Sequence, residues 1–435
     1  MHRLSIESKY PINFRCEDAR RLAELIKNHQ SVELIGMKRV GISNFLRFFL
    51  YHPEIKKKYF GIHYKRYLFI PIDLNDLVEC ELQPFWLLTF KRVLESIDQT
   101  SLPKNISQSI NHLFDKAIQL HDLFFTVDAL RKTLVELVRH DVYPILFLVR
   151  FDRLLDHVTR DFFATIQSLY DTAHGKLAYV FTCYRELSEL KPDIFDSNTM
   201  SVFSKALYLQ PAKTPDTEII CSTFEDRYHI KLDERVKSKL VELSGGHVQY
   251  LQLGLAILSE YENKALSPKE TEKALKEDER IILQSEELFS TLSQDEKSNL
   301  RKISSGEVAD IKDLKNEYIW KTGMIANGNR PLHIFSSYLT DYISSQSDLS
   351  QEYRDGTYLT NKENALFNLI KSYLGEVCER DMILEQVWSE YESFGVSDWA
   401  VDRLIARLRK KLKEMHSPYS IKTIRTRGFM MVKKG

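Results

Sequence analysis

The segment that most restricts the fold is Ser31 to Leu50. SVELI reads as a short apolar strand, Gly36-Met37-Lys38-Arg39-Val40-Gly41-Ile42-Ser43 as a glycine-framed loop, and Asn44 to Leu50 as a helix. Strand, loop and helix in that order are the context a phosphate-binding loop requires. The spacing is that of G-x-x-x-x-G-K-[ST], but Ile42 stands at the lysine position, where an ammonium would neutralise β- and γ-phosphates. Gly36 and Gly41 still permit a nest of backbone N–H groups, and Ser43 keeps a hydroxyl. Lys38 and Arg39 are the cations nearest the loop. Further apolar strands are expected at Tyr67–Asp73, Tyr143–Phe151 and Leu177–Cys183, with helices at Phe85–Ile97 and Phe125–Arg139 between them. Strands alternating with helices give a parallel α/β sheet.

On these residues the first half resembles the P-loop ATPases of the AAA+ and STAND groups. That resemblance implies an acidic pair at the end of a core strand, which falls here on Val149 and Arg150, with Asp152 displaced beyond it. It also implies a sensor residue near Arg185, although an ion-paired arginine serves equally well as an account of that position. A helical lid is expected over Thr217–Leu258. His247, after Ser244-Gly245-Gly246, is expected at a surface turn. Ser293 and Glu296 form a capping-box signature. With Ile311, Leu314, Tyr318 and Ile319, and a hairpin turning at Asn327-Gly328-Asn329, they resemble the winged helix that follows STAND-type lids. The expected division is 1–214 degenerate P-loop domain, 215–280 lid, 281–343 coupling winged helix, 344–356 linker and 357–435 a second winged helix.

The C-terminal end carries the clearest chemistry. In Val396–Leu412, Val401, Ile405, Leu408 and Leu412 recur on one helical face. Arg403, Arg407, Arg409 and Lys410 project from the rest, and a hairpin-like segment, Tyr419–Val432, carries Arg425 and Arg427 around Gly428. Residues 396–435 hold 11 Lys/Arg against 3 Asp/Glu, in a chain that balances 61 against 61. Such concentration is the electrostatic footprint of phosphate binding. From Leu359-Thr360 and Glu363, through Gly375-Glu376-Val377, Arg380 and Val387-Trp388, to Ile421, Ile424-Arg425 and Gly428-Phe429, the segment resembles the winged-helix effector domain of OmpR/PhoB-type regulators. The resemblance implies that Arg403, Ala406 and Arg407 face bases. Trp399, Arg409 and Lys410 would lie near phosphates, with Arg425 and Arg427 on the wing. Leu404 and Ala406 depart from the family's usual residues, and Trp388 and Phe429 are expected in the core.

Length and composition allow two to four domains of ordinary globular type. The five cysteines form no CxxC pair, so neither a disulfide framework nor a zinc site is indicated. No apolar run approaches a membrane span. The expected protein is a cytoplasmic, bacterial-type transcriptional regulator that binds double-stranded DNA and self-associates, without a membrane partner. No receiver domain is expected before the winged helix. With the lysine and the acidic pair replaced, no catalytic residue, metal ligand or cofactor is expected, and ATP with Mg²⁺ is the one candidate left open. Two alternatives remain: an active ATP-dependent AAA+/STAND switch, and a DNA-bound scaffold resembling replication initiators.

Overall fold

The computed structural model describes residues 5–98, 100, 102–195, 205–261, 266–307, 314, 317–326, 332–352, 361–387, 398–414, 417–424 and 428–433; for 347–352, 361, 362, 385, 398–400, 403 and 414 it describes the backbone alone. The chain divides into two compact units, 1–343 and 344–435.

The first unit is built on a five-stranded parallel sheet. Its strands are β1 (Val32–Ile35), β2 (Tyr67–Asp73), β3 (Tyr143–Val149), β4 (Ala178–Cys183) and β5 (Lys205–Tyr208), in the spatial order β2-β3-β4-β1-β5. The segments β1 to β4 fall where the sequence places them, because a strand covered on both faces must be apolar throughout. Alternation then decides which side each residue joins. Phe69, Ile145, Phe147 and Val180 enter one core, while Ile70, Leu146, Leu148 and Phe181 enter the other. The second core is roofed by α4 (Leu82–Ile97), α5 (Lys104–Leu120) and α6 (Leu123–Arg139). β5 and α5 were not anticipated: β5 is four residues long and partly exposed, and α5 buries few side chains.

The first core runs on without interruption into the helices that follow the sheet. These are α9 (Thr214–Tyr228), α10 (Glu234–Ser244), α11 (Val248–Ser259) and α12 (Pro268–Glu277), then α13 (Glu279–Ser290) and α14 (Gln294–Ser304). The capping box at Ser293 and Glu296 is formed. Tyr318–Lys321 is helical, and β6 (Ile325–Ala326) pairs antiparallel with β7 (His333–Ile334). Ile311 and the turn residues Asn327, Gly328 and Asn329 lie outside the described residues. A helix then spans Ser337–Glu352. Of the segment 344–356 expected as a linker, the part as far as Glu352 is helical.

The second unit packs helices Asn361–Ser372, Arg380–Val387 and Asp398–Glu414 against a three-stranded sheet. In that sheet β10 (Gly428–Lys433) lies between β8 (Cys378–Glu379) and β9 (Tyr419–Ile424). Phe429 is buried as expected; Trp388 lies outside the described residues. An added Cβ on Gly428 would stand 2.1 Å from the Cys378 carbonyl oxygen. Only glycine lets the wing strand approach β8 so closely.

Candidate nucleotide pocket and nucleic-acid interface

The glycine loop closes into a phosphate-loop shape. Gly41 takes φ 114° and caps α2 (Ile42–Tyr51), and Arg39 also adopts the left-handed region. A cavity of about 560 Å³ opens beside it, lined by Gly36, Lys38, Gly41, Ile42 and Ser43 from the loop. Arg150 and Asp152 line it after β3, Tyr184 after β4, and Val248, Gln252 and Glu287 from the helices beyond. The site lies at the carboxyl end of the parallel strands, where open α/β sheets place ligands.

The side chains in this cavity face each other. Arg39 pairs with Glu287 of α13 at 3.0 Å. Arg150 pairs with Asp73, which ends β2, and its backbone N–H donates to the Thr182 hydroxyl at 2.7 Å. The Lys38 ammonium stands 5.1 Å over the Tyr184 ring. Ile42 packs against the hydrophobic core, and an added Cβ on Gly36 would lie 3.4 Å from its Cδ1. Burial pushes the Asp152 carboxyl above its ordinary value, with Lys38 and Arg150 opposing. Among the described residues, no three of His, Cys, Asp and Glu converge as metal ligands would. Ser43 and the glycines of the loop line the same cavity. Ile42 brings no charge to the loop, and Arg150 puts a cation at the end of β3.

His247 is not at the surface. It is fully buried, with its Nε2 3.0 Å from the Lys38 carbonyl oxygen. A carbonyl only accepts, so Nε2 carries the proton and Nδ1 is left without a hydrogen-bond partner. Burial pushes the imidazole pKa down to about 4. The preceding glycines explain the placement. An added Cβ would meet the Phe335 carbonyl oxygen at 1.9 Å from Gly245 and the Ala212 carbonyl oxygen at 2.0 Å from Gly246. An added Cβ on Gly41 would meet Val248 Cγ2 at 2.5 Å. One short turn thus touches the phosphate loop, the end of the sheet domain and the β6–β7 hairpin region. The surface expectation failed because a Ser-Gly-Gly-His run reads locally as a turn, while its burial comes from three distant segments.

Arg185 is the second such tie. Its guanidinium meets both Glu296 carboxylate oxygens, at 3.0 and 2.5 Å, and donates to the Thr291 carbonyl at 3.0 Å. It also lies 4.2 Å from the Tyr318 ring centroid. Burial disfavours its charge, but Glu296 and Glu189 outweigh that and raise its pKa. This is the ion-paired arginine, turned away from the cavity toward Thr291, Glu296 and Tyr318.

In the second unit the basic helix Asp398–Glu414 buries Val401, Leu404, Ile405, Leu408 and Leu412. Leu404 is therefore a core residue, and its departure from the family pattern does not bear on base contacts. Asp402, Ala406, Lys410 and Lys413 are exposed on the opposite face. Arg407, expected to face bases, is directed inward: its Nε and Nη2 lie 3.1 and 3.0 Å from Glu363 Oε1, and Lys411 pairs with Oε2 of the same fully buried carboxylate. Arg409, expected near phosphates, donates to the Ile421 carbonyl at 2.9 Å and the Thr423 hydroxyl at 2.7 Å, fastening the helix to β9. Both guanidiniums answer groups that local sequence cannot reveal, a carboxylate 44 residues upstream and a strand edge beyond the helix. Glu363, noted in sequence for opening a helix, is the hidden partner. The side chains of Trp399 and Arg403, and the residues Arg425 and Arg427, lie outside the described set.

Residues 354–431 match the family described as "Transcriptional regulatory protein, C terminal". Transcriptional regulatory protein YxdJ of Bacillus subtilis is 32% identical over 73 residues, 17% of this chain and 31% of that protein. Heme response regulator HssR of Staphylococcus epidermidis is 39% identical over 72 residues, 16% of this chain and 31% of that one. The chain thus spans about a third of the length of the curated relatives it matches. Among solved structures, the Walker-type ATPase of Pyrococcus abyssi is similar with TM-score 0.47 and 18% identity, covering 78% of this chain and 99% of that one. The Aeropyrum pernix ORC1 protein in complex with DNA is similar with TM-score 0.41 and 13% identity, covering 98% and 91%. Among the described residues, no helix is long and apolar enough to cross a membrane. Residues 354–431 thus match the transcriptional regulatory C-terminal family, on one chain with a five-stranded parallel α/β sheet.

Proposed function

We propose that the protein is a cytoplasmic transcriptional regulator whose C-terminal winged helix reads double-stranded DNA. Its P-loop unit serves as a platform for sensing or self-association without turning over ATP. The observation that carries this reading is the family match over 354–431, joined to a helix that buries one apolar face and exposes Ala406, Lys410 and Lys413. A helix of this kind suits the major groove, with lysines meeting phosphates and the centre of the exposed face meeting base edges. Arg403 stands one turn before Arg407 and is the candidate base contact; Lys410 is the candidate phosphate contact. Arg407 and Arg409 hold the reader together. Trp399, Arg425 and Arg427 remain candidate backbone contacts. In the P-loop unit, Gly36, Lys38, Gly41 and Ser43 form a loop suited to an anion, and the pairing of Arg39 and Arg150 supports an inactive site.

The test is binding of the full chain to its own recovered sites by fluorescence anisotropy. Arg403→Ala is expected to cost about 1–3 kcal/mol at specific sites and to relax preference at one base, whereas Lys410→Ala weakens all sequences alike. Unchanged binding in both variants would remove the helix as the reader.

A further inference from the structure

Residues 55–72 hold five Lys/Arg, no acidic residue, and the aromatics Tyr59, Phe60, Tyr64, Tyr67 and Phe69. The segment folds as helix α3 (Ile55–Phe60) and a 3₁₀ turn, Gly61–Arg66, and then enters β2. It therefore sits at the amino end of the strands, at the other end of β2 from Asp73 and the nucleotide cavity. Tyr67 pairs in register with Tyr143, their rings 5.7 Å apart. His29 packs edge-on to Tyr143 at 5.2 Å, and the Lys176 ammonium lies 5.4 Å over the same ring. Phe60 packs on Tyr67 at 4.4 Å. These rings bring Lys176, from the turn before β4, beside the Lys65-Arg66 end of the run.

Internal partners leave most of this charge outward. Arg66 pairs with Asp141 at 2.8 Å. Lys58 donates to the Ile12 carbonyl at 3.1 Å, which leaves its charge unneutralised. Lys56 lies over the Phe69 ring, and burial pushes its pKa down to about 8, so it contributes least. Lys57 and Lys65 are exposed and make no ion pair among the described residues. Ile62 between them is 89% exposed. A run of exposed lysines is most often a solvated face. This one differs in three respects: no acid interrupts it, it is backed by a row of edge-on and tilted aromatic rings, and it sits in a chain whose total charge is zero.

We infer that the Lys57–Arg66 surface, with Lys176, is a second nucleic-acid contact that grips the phosphate backbone of duplex DNA without reading sequence. Ammonium groups on a firm aromatic base suit phosphates, and phosphate contacts fix orientation but carry no base information. Duplex DNA is favoured over other polyanions because the same chain carries a winged helix. Once that unit is engaged, any second basic surface meets DNA at the high effective concentration of a tethered site. The inference rests to that extent on the proposed DNA-reading function.

The experiment compares the full chain with its Lys57→Gln/Lys65→Gln and Lys410→Ala variants on long duplex DNA, titrated from about 50 to 200 mM salt. Each phosphate neutralised adds about 0.9 to the slope of log affinity against log salt, so two lost contacts flatten it by about 1.8. Over that fourfold salt range the wild type then loses about tenfold more affinity than the double variant. The preference for specific over unrelated sequence stays unchanged. Equal slopes for wild type and double variant overturn the inference. So does loss of co-sedimentation with phosphatidylserine vesicles in the double variant while its DNA slope stays at the wild-type value, which assigns the surface to membrane. If the double variant loses binding but Lys410→Ala and Arg403→Ala do not, this surface stands and the winged helix fails as the reader.

Discussion

The phosphate loop and the basic helix each began as a motif with cations at stated positions, and the structure treats them differently. Around the loop, Arg39 and Arg150 are matched to Glu287 and Asp73, and Ile42 joins the core. On the helix, Arg407, Lys411 and Arg409 are drawn inward by Glu363 and β9, yet Ala406, Lys410 and Lys413 stay exposed. The loop keeps the tight glycine turn between β1 and α2 while its side chains hold the molecule together. The helix keeps both the geometry and an outward charged face. A motif position tells where a side chain starts, and only the tertiary partners tell what its charge is for.

The sharpest way to break this comparison is at the Gly245–His247 turn, which binds the loop to α11. Gly246→Ala places a Cβ against the Ala212 carbonyl at a left-handed φ of 80°. It is expected to cost about 2–5 kcal/mol, from backbone strain and overpacking together. The expected readout is a lower denaturation midpoint of the first transition, with the second unit's transition unmoved. If both transitions fall equally, the two units do not unfold separately.

Next comes the carboxylate under the basic helix. Glu363→Ala removes the shared partner of Arg407 and Lys411 and leaves a space in the core, at an expected cost of about 3 kcal/mol. Arg407→Ala is expected to cost less, because Lys411 still neutralises the carboxylate. Both losses should appear in urea unfolding of the second unit. An Arg407→Ala protein of unchanged stability but reduced site preference would return Arg407 to the bases.

The buried His247 gives a pH signature. Its folded pKa, about 4, lies below the ordinary value of 6.5. The unfolded chain therefore binds the proton more readily, and the neutral buried ring's contribution is complete above about pH 6.5. It is lost progressively as pH falls toward 4, by about 3 kcal/mol in all. His247→Gln, which can still donate to the Lys38 carbonyl, should flatten the stability profile between pH 6.5 and 4. A profile identical to the wild type would show that other groups set the acid limb.

Much of the fold was legible because its signals are local. The strands Tyr67–Asp73 and Tyr143–Val149 announce themselves as apolar runs, and the helix Asp398–Glu414 as an apolar face repeating at 3.6 residues. The features that local sequence does not reveal are those set by partners far along the chain. Leu404 was noted as a departure from the family's usual residue, and it closes the same face as Val401 and Leu408. His247 was placed at a surface turn because its glycines suggest one, whereas Lys38 and Phe335 bury it. Arg407 and Arg409 were assigned by position in a motif, and their pairing required knowing where Glu363 and Thr423 come to rest.

The most direct test of the central claim is footprinting of the full-length protein on genomic DNA, with and without ATP and Mg²⁺. The account predicts discrete protected sites at promoters, unchanged by nucleotide and lost with Arg403→Ala, while phosphate release stays at the level of buffer alone. Sites that form only with ATP and vanish as phosphate is released would contradict it, and would restore the P-loop unit as a working switch.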